Sequence, residues 1–118
     1  MKKCFTILIL LSLLSLNNCD QSVSPSDNPG WVNELIEKYK SEPVGNPPQS
    51  IWSYTYNGQT VYYVPPQCCD QFSSLFDKNG ILICAPDGGF FPGGDGRCPD
   101  FFQNRKDEKV IWKDPRQD

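Results

Sequence analysis

The side chains best suited to chemistry here are six cysteines and a run of aspartates, because the 118-residue chain contains no histidine. That absence removes Ser-His-Asp and Cys-His nucleophiles, HExxH metal sites and histidine general bases together. An enzyme would then need a carboxylate pair or an activated lysine, and no such pair is marked out by spacing. Glu34 and Glu37 are close in sequence, but they read as the solvated face of a helix. The expectation is therefore a protein that is not an enzyme. Cys68, Cys69, Cys84 and Cys98 lie in the body of the chain. Their spacing lacks the paired CxxC knuckles of a zinc site, and no redox CxxC is present. They read as two disulfides, each stabilising a small domain by about 3 kcal/mol. A bond between the adjacent Cys68 and Cys69 would need a strained ring. Of the two remaining connectivities, Cys69–Cys84 with Cys68–Cys98 is favoured.

The most unusual stretch is residues 85–100, APDGGFFPGGDGRCPD, which holds five of the nine glycines. One reading is a disulfide-pinned loop whose glycines supply positive φ and whose aspartates close turns. A second is a calcium site of oxygen ligands from Asp87, Asp95 and Asp100, with Asp70 or Asp77 added, although the spacing is not that of an EF-hand loop. A third is a recognition loop formed by Asp87, Gly88, Gly89, Phe90, Phe91, Asp95, Gly96 and Arg97. In it Phe90-Phe91-Pro92 would enter a partner's groove, as a protease inhibitor's loop does. A phosphate cradle is excluded by the acidic character and the lack of GK[ST].

The N-terminus reads as an address. Met1-Lys2-Lys3 precedes an apolar run at residues 5–16, too short for a membrane span of about 20 residues. Leu16-Asn17-Asn18-Cys19 then resembles a bacterial lipobox, with Cys19 as the lipidated residue. Asn18 stands where a small residue is usual. This gives a leader at 1–18, a lipidated cysteine and tether at 19–28, and one domain at 29–118. Acyl chains would hold the domain to a membrane. The charge balance, 11 basic against 14 acidic residues, lacks the footprint of a nucleic-acid binder.

The elements follow from periodicity. Asp27 or Asn28 is expected to cap a helix bearing the stripe Trp31, Val32, Leu35, Ile36 and Tyr39, with a Glu34–Lys38 pair outside. Residues 51–56 and 59–64 flank Asn57-Gly58, the signal for a type I′ hairpin. Trp52, Tyr54, Tyr56, Val61 and Tyr63 would share one face and take the helix. A second Asn-Gly turn at 79–80 joins two more strands, with a short helix at 70–76 as the alternative. Residues 109–112 would form a last strand. The fold class is α+β, one helix on an antiparallel sheet of four or five strands.

Taken together, the lipobox, the hairpin and the segments CCDQF (68–72), ICAPDGG (83–89) and GDGRCPDF (94–101) resemble a family of small Gram-negative lipoproteins built on a single domain of unknown function. The likeness spans about residues 31–113. It implies lipid anchoring in the cell envelope and disulfides, and it lends no catalytic residue. The expected role is an anchored interaction module, with the outer membrane favoured and an envelope or extracellular protein or glycan as partner. The alternatives are an inhibitor of a secreted hydrolase or protease acting through residues 87–98, and a calcium-stabilised module.

Overall fold

The computed structural model describes residues 27–68, 70–90 and 93–116. Helix α1 (Gly30–Ser41) is followed by strands β1 (Ser50–Tyr56), β2 (Gln59–Val64), β3 (Ser74–Phe76) and β4 (Leu82–Cys84). A short helix α2 (Phe101–Asn104) and strand β5 (Lys106–Lys113) complete the chain. The sheet is antiparallel with strand order β4-β3-β2-β1-β5. The α+β class and the five strands agree with the sequence. The four-residue α2 does not appear in the hydrophobic pattern, being too short to show a period.

Local chemistry accounts for the boundaries. Asn57 and Gly58 have φ of 52° and 78°, as a type I′ turn requires, and the register pairs Tyr54 with Val61 and Tyr56 with Gln59. At the second turn, one oxygen of Asp77 accepts the N–H groups of Asn79 (2.8 Å) and Ile81 (3.0 Å). Residues 74–76 are thus a strand rather than part of a helix. Helix α1 is not capped by Asp27 or Asn28: Pro29 occupies that position, and its carbonyl accepts from Val32 at 3.0 Å and Asn33 at 3.3 Å. Lys38 reaches forward to Glu42 at 3.0 Å. The last carbonyls of α1 are met from far along the chain. Arg116 donates to Tyr39 O (3.0 Å) and Glu42 O (2.9 Å), and its guanidinium is held by the buried Asp114 at 2.7 Å.

The face expected to take the helix does not. Helix α1 packs Val32 and Tyr39 on Ile51, Tyr62 and Val64, the opposite face of the hairpin. Tyr54, Tyr56, Val61 and Tyr63 pack with Leu75, Cys84, Cys98 and Phe101 instead. The reason is polar. Buried tyrosine hydroxyls need acceptors, and the apolar stripe of α1 offers none. The loop before α2 and the strand after it offer three carboxylates.

Phe101 is the centre of that second layer, fully buried with its ring 5.5 Å from Tyr54, 5.2 Å from Tyr56 and 5.8 Å from Tyr63. Phe101→Ala is expected to cost about 3–5 kcal/mol, read as a lower urea midpoint with an unchanged slope.

Candidate functional site

Residues 85–90 and 93–100 fold back over the aromatic face of the sheet and are pinned by a Cys84–Cys98 disulfide with Cα atoms 6.2 Å apart. This overturns both expected pairings, Cys69–Cys84 and Cys68–Cys98. The physical reason lies in placement: Cys84 ends β4 and Cys98 precedes α2, so both sink into the core that Phe101 fills, whereas Cys68 is exposed. Cys68 is disulfide-bonded as well. Since Cys84 and Cys98 hold each other, its partner lies outside the described residues, as Cys4, Cys19 and Cys69 do.

Two tyrosines fasten the loop through their hydroxyls, and a third bonds β5. Tyr63 donates to both oxygens of Asp87 (2.9 and 3.1 Å), Tyr56 to Asp100 (2.7 Å) and Tyr54 to Glu108 (3.1 Å). Burial pushes the Tyr63 hydroxyl well above its ordinary range, and Asp87 pushes it further. The bond to Asp100 raises Tyr56, with burial adding to it. Asp100 in turn is held below the usual carboxylate range by Tyr56 and by the Asn104 amide at 2.9 Å. Arg105 donates to the Tyr54 hydroxyl at 3.0 Å and lies 4.9 Å from the centres of the Tyr54 and Phe102 rings.

Each described candidate residue of the loop has a definite place. The Asp87 backbone exchanges two hydrogen bonds with the Ser73 hydroxyl, at 3.0 and 3.1 Å. Asp95 closes the waist: its N–H donates to Ala85 O (2.9 Å), and its carboxylate accepts from Ala85 N (3.1 Å) and Arg97 N (3.0 Å). Gly94 lies so close that a Cβ there would stand 1.9 Å from the Ala85 carbonyl, so this crossing requires glycine. Gly96 is exposed, and Arg97 is exposed with its guanidinium 3.6 Å from Asp95. Asp87, Asp95 and Asp100 are thus spent on three separate tasks. Among the described residues, no three acidic or cysteine side chains converge as a metal set would. Cys19 and Phe91 lie outside the described residues.

The loop's outward end is aromatic. Gly88 forms an isolated bridge with Phe72, and the Gly89 N–H donates to Gln71 O at 3.3 Å. The Phe72 ring lies across Gly89, where a Cβ would meet it at 2.5 Å. Phe72 is 53% exposed and Phe90 is 82% exposed. The sequence pointed to Phe90 but not to Phe72. Its signal was CCDQF standing just before a strand, where a phenylalanine outside the alternating pattern has no core to enter.

Together these features define a small α+β domain with a disulfide-pinned loop and an exposed aromatic tip. A family described as a domain of unknown function, DUF6970, matches residues 37–114, and the chain belongs to that family. No curated protein and no solved structure matches it.

Two measurements check this arrangement. All five tyrosines ionise less readily in the fold than the ordinary value near 10. A raised tyrosine pKa stabilises the fold fully below that value, and the contribution is lost as pH climbs above it. Absorbance at about 295 nm is therefore expected to show little tyrosinate at pH 10, then a cooperative rise as the fold opens; smooth titration around 10 would contradict the hydroxyl bonds. A non-reducing peptide map is expected to recover 84 joined to 98, with Cys68 joined to neither.

Proposed function

We propose that this protein is a membrane-anchored lipoprotein of the bacterial cell envelope that acts as a non-enzymatic binding module, with the Phe72–Phe90 tip as its working surface. The observation that carries the reading is the exposure of two phenylalanines beside a loop fastened at Asp87, Asp95 and Cys98. Asp87, Asp95 and the Cys84–Cys98 bond hold the loop from below, while Phe72 and Phe90 remain outside. An exposed aromatic on a rigid mount loses little conformational entropy when a partner covers it, which is how interface anchors work. Anchoring rests on the lysines, apolar run and Cys19 of the N-terminus, and the outer membrane is the favoured location. The partner is an envelope or extracellular protein.

The reading also constrains the cysteines. A Cys19 that carries a thioether-linked lipid has no thiol for Cys68. Protein isolated from its native membrane is expected to show acyl mass on Cys19. A peptide joining Cys19 to Cys68 would end the lipoprotein reading.

The working surface is tested in the cell with a photo-crosslinking benzoylphenylalanine at position 90. A discrete adduct is expected, lost on Phe72→Ser and absent when the crosslinker stands at the exposed Val110 on β5. Phe72→Ser should leave the melting temperature within about 2 °C, as exposed positions do. No adduct from position 90 would overturn the tip as the working surface. An adduct with a secreted hydrolase would make the module an inhibitor.

A further inference from the structure

A second exposed apolar surface lies at the other end of the β3–β4 hairpin. Helix α1 crosses the sheet obliquely. Near its start, Trp31 meets Tyr62 of β2 at 5.4 Å and Phe76 of β3 at 5.2 Å. Near its end, Tyr39 stacks on Trp112 of β5 at 6.1 Å. The strand on the far side, β4, is left beyond the helix. Leu82 pairs with Phe76 and so shares its face, yet it is 51% exposed, and its neighbour Ile81 is 62% exposed. Trp31, Leu35 and Phe76, each half-buried, line a shallow recess of about 290 Å³ with Glu34 and Lys38 at its rim. The Trp31 indole N–H donates to Lys78 O at 2.8 Å, and its ring lies over Gly80. The ring is thereby fixed at the end of the domain where the chain enters α1.

We infer that this surface, Trp31, Leu35, Phe76 and Leu82, rests on the membrane, its occupant being the boundary between lipid headgroups and acyl chains; the inference rests on the anchoring of Cys19. The length of chain before α1 carries it. From Cys19 to Gly30 is eleven residue steps, a length that corresponds to about 17–20 Å r.m.s. for a random coil. The end of the domain nearest that tether, where Trp31 stands one residue into α1, is therefore held within a domain's breadth of the bilayer. Tryptophan is the side chain that favours this boundary, with its ring among acyl chains and its dipole among headgroups. Leu35, Phe76 and Leu82 beside it supply apolar area to bury to a shallow depth. Glu34 and Lys38 at the rim balance each other in charge, so the apolar side chains dominate the patch.

The test uses the full chain purified from its native membrane, its mass reporting acylation, with Trp52→Phe and Trp112→Phe, which leaves Trp31 as the reporter. It is reconstituted in phosphatidylethanolamine–phosphatidylglycerol vesicles whose lipids are brominated near the top of the acyl chains. Trp31 emission is expected to fall about twofold relative to unbrominated vesicles, and the exposed substitution Leu82→Asp is expected to remove most of that quenching. If the double variant does not fold, the same comparison is made with the native tryptophans, where quenching sensitive to Leu82→Asp reports on the same patch. Acyl mass on Cys19 without quenching would overturn docking and leave anchoring intact. Quenching without acyl mass would end the anchoring reading and leave docking standing; absence of both would end both. A cross-linked dimer that Leu82→Asp abolishes, with no quenching, would give the patch to a second copy of the chain and overturn the inference.

Discussion

The hydrogen bond from Tyr63 to Asp87 is the constraint around which this fold is arranged. A tyrosine buried in the middle of a sheet brings about 200 Å² of surface and one hydroxyl that cannot be left unpaired. Three such tyrosines stand on one face of the β1–β2 hairpin, so whatever covers that face must bring three acceptors. A helix with an apolar stripe cannot. A loop carrying Asp87 and Asp100, followed by a strand carrying Glu108, can. The division of labour between the two faces follows: α1 takes Ile51, Tyr62 and Val64, and the loop takes the tyrosines. The Cys84–Cys98 bond and Phe101 then close the second layer.

This also explains an acidic, glycine-rich composition that resembles a calcium loop. Aspartates and glycines serve calcium because they supply oxygens on a tightly curved backbone. The same properties serve a loop that must supply oxygens to its own protein while crossing itself at short range. The fold uses them the second way. Asp87 faces Tyr63, Asp100 faces Tyr56, and Asp95 faces the backbone of Ala85 and Arg97 across the Gly94 crossing. Oxygens pointed at three different donors are not available to one ion.

What could be read in the sequence was local. Asn57-Gly58 and Asn79-Gly80 set both hairpins, because a primed turn or an Asx turn is decided by adjacent residues. The helix was visible because Trp31, Val32, Leu35, Ile36 and Tyr39 repeat at its period. The choice of face was not visible, since Ile51 and Trp52 are equally apolar and both faces carry tyrosine, Tyr62 on one and Tyr54, Tyr56 and Tyr63 on the other, so the carboxylates that the later chain brings decide it. The disulfide was not visible either. Cys68 and Cys84 both lie near the β3–β4 hairpin, and which of them reaches Cys98 depends on where the loop lands. Phe72 escaped for the same reason: its role comes from the bridge to Gly88, sixteen residues on.

The two exposed apolar surfaces gain meaning from their placement on one hairpin. Phe72 and Gly88 bridge at its open end, and Gly80 forms its turn beneath Trp31. The eight residue steps from Gly80 to Gly88 span at most about 26 Å when extended. A bilayer under the turn would leave the Phe72–Phe90 tip pointing away from it, at roughly the thickness of a small domain. The reverse arrangement, with the tip in the lipid, would place Trp31 and the entry of the chain into α1 far from the membrane and stretch the tether against its own entropy. In the proposed arrangement a tether this short and a patch at its point of entry would act together. The first would hold the domain close, and the second would decide which end is down.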